Sequence, residues 1–338
     1  MLLFLAVSLA PFAVIAPFIG PVIDRIPGGR RFTVFLVSAL RCATVLAMIS
    51  RLNSLSLFAL AFISLVLART YSVSKAALVP TLVKNDDELV SANGKLGLLS
   101  GLMGFAAAIP AGLLQLIDAR VTLCMSATMF GLAGLAALRL PRHVATTPSQ
   151  VEEIETEELR NNLVKRIGLS MMILRGVIGF LFFHVAFWLR DERAGTAWFG
   201  LAIGLSSLAI MIANSVAPLL RRFMSERKMM MFAYLAIGVT GVIAGVVGGI
   251  TAGIVLIAVT NGMGSVGRLA FESVIQREAP DVNRARVFVR FETRNQLAWV
   301  GFGLIAVILT LPGAVGFAFV GVTCIAGSVY FFSGKINS

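Results

Sequence analysis

Arg41, Arg69, Arg175, Arg268, Arg290 and Arg294 interrupt long apolar stretches of this chain, as do Glu272 and Glu292. A charge kept from water must find a partner or serve a ligand, because leaving it alone is costly. Arg268, Glu272 and Gln276 recur every four residues and so share one helical face, and Arg286, Arg290 and Arg294 do the same beside Glu292. Two such stripes of complementary charge either form an inner gate or snorkel to the cytoplasmic surface, which suits Arg286 well. A carboxylate beside an arginine can also carry a proton, and Glu272, with Arg268 one turn away and Arg290 as a second partner, is the best supplied. Arg69 is the expected electrostatic modulator. Bond-making chemistry is not in evidence: the sequence has no nucleophile–base pair, no paired carboxylates inside an apolar run, no phosphate loop and no His/Cys metal spacing. Neither an enzyme nor a cofactor is expected. The missing phosphate loop also argues against an ATP-driven process and leaves an ion gradient or facilitated diffusion.

These residues need membrane-spanning elements to hold them. The chain is 58% hydrophobic and 14% charged, with a mean hydropathy of +0.90, far from a soluble average. A bilayer core takes about 20 apolar residues per helix, and such runs recur at 2–22, 32–50, 55–74, 90–117, 121–140, 167–189, 195–219, 229–248, 250–271, 287–311 and 313–333. The alternation that marks a barrel is absent, so an all-α membrane protein of about eleven spans is predicted. The first run lacks a basic start and carries Pro11 and Pro17, which suits a mature helix better than a leader. Cys42, Cys124 and Cys324 are isolated in apolar runs and imply neither disulfides nor a metal site.

The net charge of +12 lies between the runs rather than in a nucleic-acid-binding patch, so no nucleic acid is expected. With the loop around Asp24–Arg31 placed inside, alternate loops carry Arg25, Arg30 and Arg31, then Lys84, then Arg139, Arg142, Lys165 and Arg166. Arg221, Arg222, Arg227 and Lys228 follow, and then Arg277, Arg284 and Arg286, while the opposite loops hold few basic residues. That bias places the polar connector 141–166 and the C-terminus in the cytoplasm. The segment from Ala217 to Arg222 with Arg227-Lys228 lines up with Gly20 to Arg25 and Arg30-Arg31. Likewise Ser265 to Ala270 echoes Ser72 to Ala77. Two related halves are predicted: residues 1–140 with five spans, and 167–338 with six.

The motif Gly20-x-x-x-Asp24-Arg25 followed by Gly29-Arg30-Arg31 resembles the loop signature of the major facilitator superfamily of transporters. Lys75-Ala76-Ala77-Leu78-Val79-Pro80-Thr81-Leu82-Val83 and Glu88-Leu89-Val90-Ser91-Ala92-Asn93 are similar to a helix junction of its enterobactin-exporter and macrolide-efflux branch. The antiporter Gly-Pro motif is altered, keeping Pro110 and Gly112 in shifted places. The resemblance implies two homologous six-helix halves with the substrate between them. It also implies that the first family helix is missing here, since one run precedes the loop motif where the family has two. Asp24 would hold one access state against a helix N-terminus or an arginine, with Gly20 allowing close helix approach and Arg25, Arg30 and Arg31 bracing the inner face.

By the family layout, Arg41 falls on a peripheral helix and is expected to pair or snorkel, while Arg69 and Arg175 fall on helices that line the cavity. His184, among Phe182, Phe183, Phe187 and Trp188, is expected in an aromatic belt at the outer membrane surface. The leading function is a proton-coupled exporter of an amphipathic small molecule such as an antibiotic or siderophore. Its expected setting is a bacterial inner membrane, as a monomer. A lysophospholipid transporter of the same fold and a non-transporting remnant or scaffold are the alternatives.

Overall fold

The computed structural model describes residues 29–79, 83, 88–139, 162–191, 196–278 and 284–333. Among these residues ten α-helices follow one another: α1 (Gly29–Ile49), α2 (Ser56–Leu78), α3 (Leu89–Ile117), α4 (Ala119–Ala137), α5 (Asn162–Asp191), α6 (Thr196–Phe223), α7 (Glu226–Val247), α8 (Gly249–Glu278), α9 (Arg284–Leu309) and α10 (Gly313–Ser333). Eight of them, α1 to α8, are long and apolar enough to cross a membrane. Helices suit this setting because they satisfy every backbone group internally. The expected run at 2–22 lies outside the described residues, as do Gly20, Asp24 and Arg25; Gly29, Arg30 and Arg31 open α1.

The helices outrun their apolar cores at the ends predicted to be cytoplasmic. α5 begins at Asn162, inside the stretch read as connector, and α8 continues from the expected end near 271 to Glu278. Hydropathy marks only the part of a helix that fits hydrocarbon, and polar turns such as Asn162–Arg166 extend it at no cost to backbone pairing. Pro110 and Pro218 lie within α3 and α6 without ending them. Between α7 and α8, Gly248 and Gly249 take φ of +65° and +81°, a left-handed pair that L side chains avoid and that reverses the chain in two residues.

The chain packs as two compact units. One comprises Met1–Leu82, Leu102–Glu155 and Ala279–Thr293. In it α1 packs along both α4 and α2, and Arg41 lies over the Phe130 ring at 4.0 Å from the centroid. That cation–π contact is the structural partner expected of Arg41.

The other unit comprises Val83–Gly101, Thr156–Glu278 and Arg294–Ser338. Its densest seam is α7 against α10, where a Cβ on Gly241 would sit 2.6 Å from the Gly321 nitrogen. Small residues let the two backbones touch, as membrane helix packing favours. Tyr234 is fully buried beside them and donates from its hydroxyl to the Ser170 carbonyl at 2.6 Å. His184 departs from expectation. It is 3% exposed, stacks on Phe180 and meets the edge of Phe317. It belongs to the α5–α10 core, not to an interfacial belt; the aromatic cluster around it pointed equally to either.

Candidate functional site

Polar residues recur along one face of α8 at Asn261, Ser265, Arg268, Glu272 and Gln276, in steps of three and four that keep them aligned. All lie in the second unit. Ser265 Oγ donates to Asn214 Oδ1 of α6 at 2.8 Å, and Asn261 Nδ2 reaches Ser206 Oγ of α6 at 3.4 Å. At the far end Asn93 Nδ2 of α3 donates to Gln276 Oε1 at 2.6 Å, and Gln276 Nε2 returns a longer bond of 3.4 Å. Glycines make room for α3 here: a Cβ on Gly94 would lie 2.7 Å from the Asn214 carbonyl oxygen, and one on Gly97 2.7 Å from Asn214 Nδ2. The Asn93 that closes the branch-like motif is therefore a buried hydrogen-bonding residue.

Arg268 and Glu272 form an ion pair at 3.1 Å within α8. This is an i, i+4 pair on one helix, as their spacing predicts. Glu292 of α9 instead meets Arg69 of α2 at 3.6 Å, both in the first unit and both partly exposed. Arg290 and Arg294 are exposed on α9, and Arg175 is half-buried on α5. Arg69 thus has the Glu292 carboxylate opposite it.

A further charged cluster was not read from the sequence. Glu226, at the start of α7, is 5% exposed. It lies 2.8 Å from Arg277 Nη1 and 3.3 Å from Arg221 Nε, and it accepts from Ser273 Oγ at 3.3 Å. These residues tie the α6–α7 turn to the end of α8. A signal was present: Glu226 is the lone acid between Arg221-Arg222 and Arg227-Lys228. In the proposed repeat alignment Arg221 occupies the position of Asp24. The second copy therefore carries an arginine where the first has its acid, and Glu226 supplies the negative charge.

Polar side chains thus recur within long apolar helices, and the comparison with known proteins decides the family. Residues 1–303 match the Major Facilitator Superfamily. The chain belongs to that superfamily. An uncharacterized protein of Mycobacterium leprae is 28% identical, covering 96% of this chain and 63% of its own length. An uncharacterized protein of Mycobacterium tuberculosis is 27% identical, with 96% and 65% covered. The chain thus spans just under two thirds of the length of these relatives. Among solved structures, the human organic anion transporter TETRAN superposes with a TM-score of 0.78 at 16% identity, over 97% of this chain and 82% of that one. A bacterial homologue of the iron transporter ferroportin gives 0.71 at 17% identity, over 97% and 88%. The Escherichia coli fucose:proton symporter gives 0.73 at 10% identity, over 98% and 92%. At these identities the likeness is one of fold. The chain is a multi-pass, all-α membrane protein of facilitator architecture.

Proposed function

We propose that the protein exports an amphipathic small molecule by alternating access and couples export to protons. The observation that carries this reading is the Arg69–Glu292 pair. It joins a helix of the first sequence repeat to one of the second, near the ends predicted to be cytoplasmic. A proton carrier needs a carboxylate whose surroundings change between access states. Glu292 meets that need because its partner belongs to the other repeat, whereas Glu272 keeps Arg268 beside it on the same helix whatever the repeats do. The sequence favours Glu272; the Arg69–Glu292 pair is what supports giving the role to Glu292 instead. Asn93 and Gln276 supply an uncharged tie between the repeats, consistent with a closed inner end. The domain division proposed is 1–140, connector 141–166 and 167–338, with the substrate between the halves.

The test is a proteoliposome assay in which an imposed pH gradient drives efflux of an amphipathic dye. Accumulation that collapses with a protonophore supports the reading. Equal flux with and without the gradient would leave facilitated diffusion.

A further inference from the structure

We infer that this transporter takes an organic anion, whose acidic group is held by Arg175 of α5 and Arg268 of α8; this deepens the transport reading and rests on it. A fold likeness at 16% identity carries no substrate; charge and placement point to one. Between Ile167 and Leu189, α5 has one charged residue, Arg175; between Gly249 and Gln276, α8 has two, Arg268 and Glu272. The two spans therefore sum to one net positive charge at membrane depth, where ionisable groups are retained for a purpose.

The two arginines occupy one level and one side of the α5–α8 seam. A Cβ on Gly267 would lie 2.7 Å from Leu174 Cδ2, and one on Gly264 2.7 Å from Ile178 Cδ1. Contacts that pair 267 with 174 and 264 with 178 make the helices antiparallel. Arg268 and Arg175 each follow a seam residue by one position, about 100° further round the helix. On antiparallel neighbours that rotation carries both side chains to the same side. The level agrees independently, because Arg175 lies thirteen residues from Asn162 and Arg268 ten from Glu278, the ends of α5 and α8 predicted to be cytoplasmic, roughly 15–20 Å along each axis. Arg268 is 34% exposed in its side chain and so reachable. On α8 it falls between the face that meets α5 and the face on which Ser265 meets Asn214 of α6.

A second observation points to the same level. A Cβ on Gly303 of α9 would lie 2.5 Å from Phe183 Cδ2, and Gly179 packs against the Trp299 backbone. The pairs 183–303 and 179–299 step together by four, which places Asn295 level with Arg175. Asn295 is 2% exposed, and its Oδ1 is buried with no hydrogen-bond partner among the described residues. A buried amide oxygen left without a donor is costly, and a hydroxyl or amide of the bound molecule would satisfy it. The ligand class is therefore an amphipathic carboxylate or sulfonate bearing a nearby donor: guanidinium forks suit planar oxyanions, and apolar helices on either side suit its hydrophobic body.

The experiment uses the full chain in lipid nanodiscs and proteoliposomes, with carboxyfluorescein and taurocholate as anionic probes and rhodamine 123 as the cation. Saturable binding of an anionic probe is expected, weakened about tenfold or more in Arg175→Gln and in Arg268→Gln, with rhodamine 123 indifferent to both. Because Arg268→Gln strands Glu272, the double variant Arg268→Gln/Glu272→Gln is the fold-neutral control; it should bind anions more tightly than Arg268→Gln, because the stranded charge is gone, and still more weakly than wild type. Anion binding unchanged in all three variants, or no saturable binding of either anion, overturns the site. Flux of rhodamine 123 without anion binding likewise overturns it and leaves transport standing. Arginine-dependent anion binding with no flux of any probe supports the site and overturns the transport reading.

Discussion

Asn93 and Gln276 exchange two hydrogen bonds across 183 residues of chain, at 2.6 and 3.4 Å, and both are buried. The pair has no charge, so it fixes α3 to α8 through geometry and is insensitive to salt. Asn93→Ala would leave the Gln276 amide buried without its partner, at a cost of about 1–3 kcal/mol. A lower melting temperature in detergent is expected, with the double variant Asn93→Ala/Gln276→Ala no worse than either single change. Cysteines at the two positions, in a background without Cys42, Cys124 and Cys324, should be joined by a short reducible bifunctional thiol reagent that stops transport until reduced. Full transport by the cross-linked protein would remove this contact from the transport cycle.

Glu226 lies between two guanidinium groups at 5% exposure. Replacing it with Gln keeps the shape and leaves Arg221 and Arg277 facing each other without their shared carboxylate. Losing one partner of a buried ion cluster typically costs about 3–5 kcal/mol, so Glu226→Gln should express poorly or melt far below wild type. Arg51→Gln, which neutralises a charge at an exposed site, is the control and should melt as wild type does. Similar melting curves for the two variants would show that the cluster adds little.

Gly241 and Gly200 separate packing from propensity. A methyl group on Gly241 would meet the backbone of α10, whereas one on Gly200 meets nothing within 4 Å. Gly241→Ala is therefore expected to destabilise by about 1–3 kcal/mol. Gly200→Ala should be neutral or stabilise by up to about 1 kcal/mol, as alanine does inside a helix. Unfolding in a mixed detergent series checks both, and the opposite order would contradict the α7–α10 seam.

How far the sequence could be read depended on the kind of force involved. Helices such as α7 and α10 stood out because each is one apolar run closed by glycine or charge, a signal local to some 20 residues. The polar end of α8 was shortened in the sequence reading, because hydropathy ends where hydrocarbon does and the helix does not. The i, i+4 spacing of Arg268 and Glu272 put them on one face, and they do pair. The pairing of Glu292 with Arg69 is not legible, since nothing in the 222 positions between them encodes their meeting. Asn93 was noticed as part of a family-like motif, but its amide bond to Gln276 is a tertiary fact. His184 was misplaced because an aromatic cluster looks the same in a core as at an interface until burial is known.

The coupling proposal separates Glu292 from Glu272 by one measurement. Neutralising Glu292 leaves Arg69 with no carboxylate at 3.6 Å whichever access state forms, so a proton no longer changes that contact. Glu292→Gln is expected to abolish pH-gradient-driven export while substrate exchange at equal pH continues. Glu272→Gln should keep gradient-driven export, because its loss frees only Arg268 on the same helix. It should also tighten anion binding severalfold, since a nearby like charge has been removed from the ligand's site. The readout is dye accumulation against imposed gradients, with exchange at symmetric pH as the internal standard. Should Glu272→Gln lose concentrative export while Glu292→Gln retains it, the proton resides on α8, and the Arg69–Glu292 pair is a structural tie.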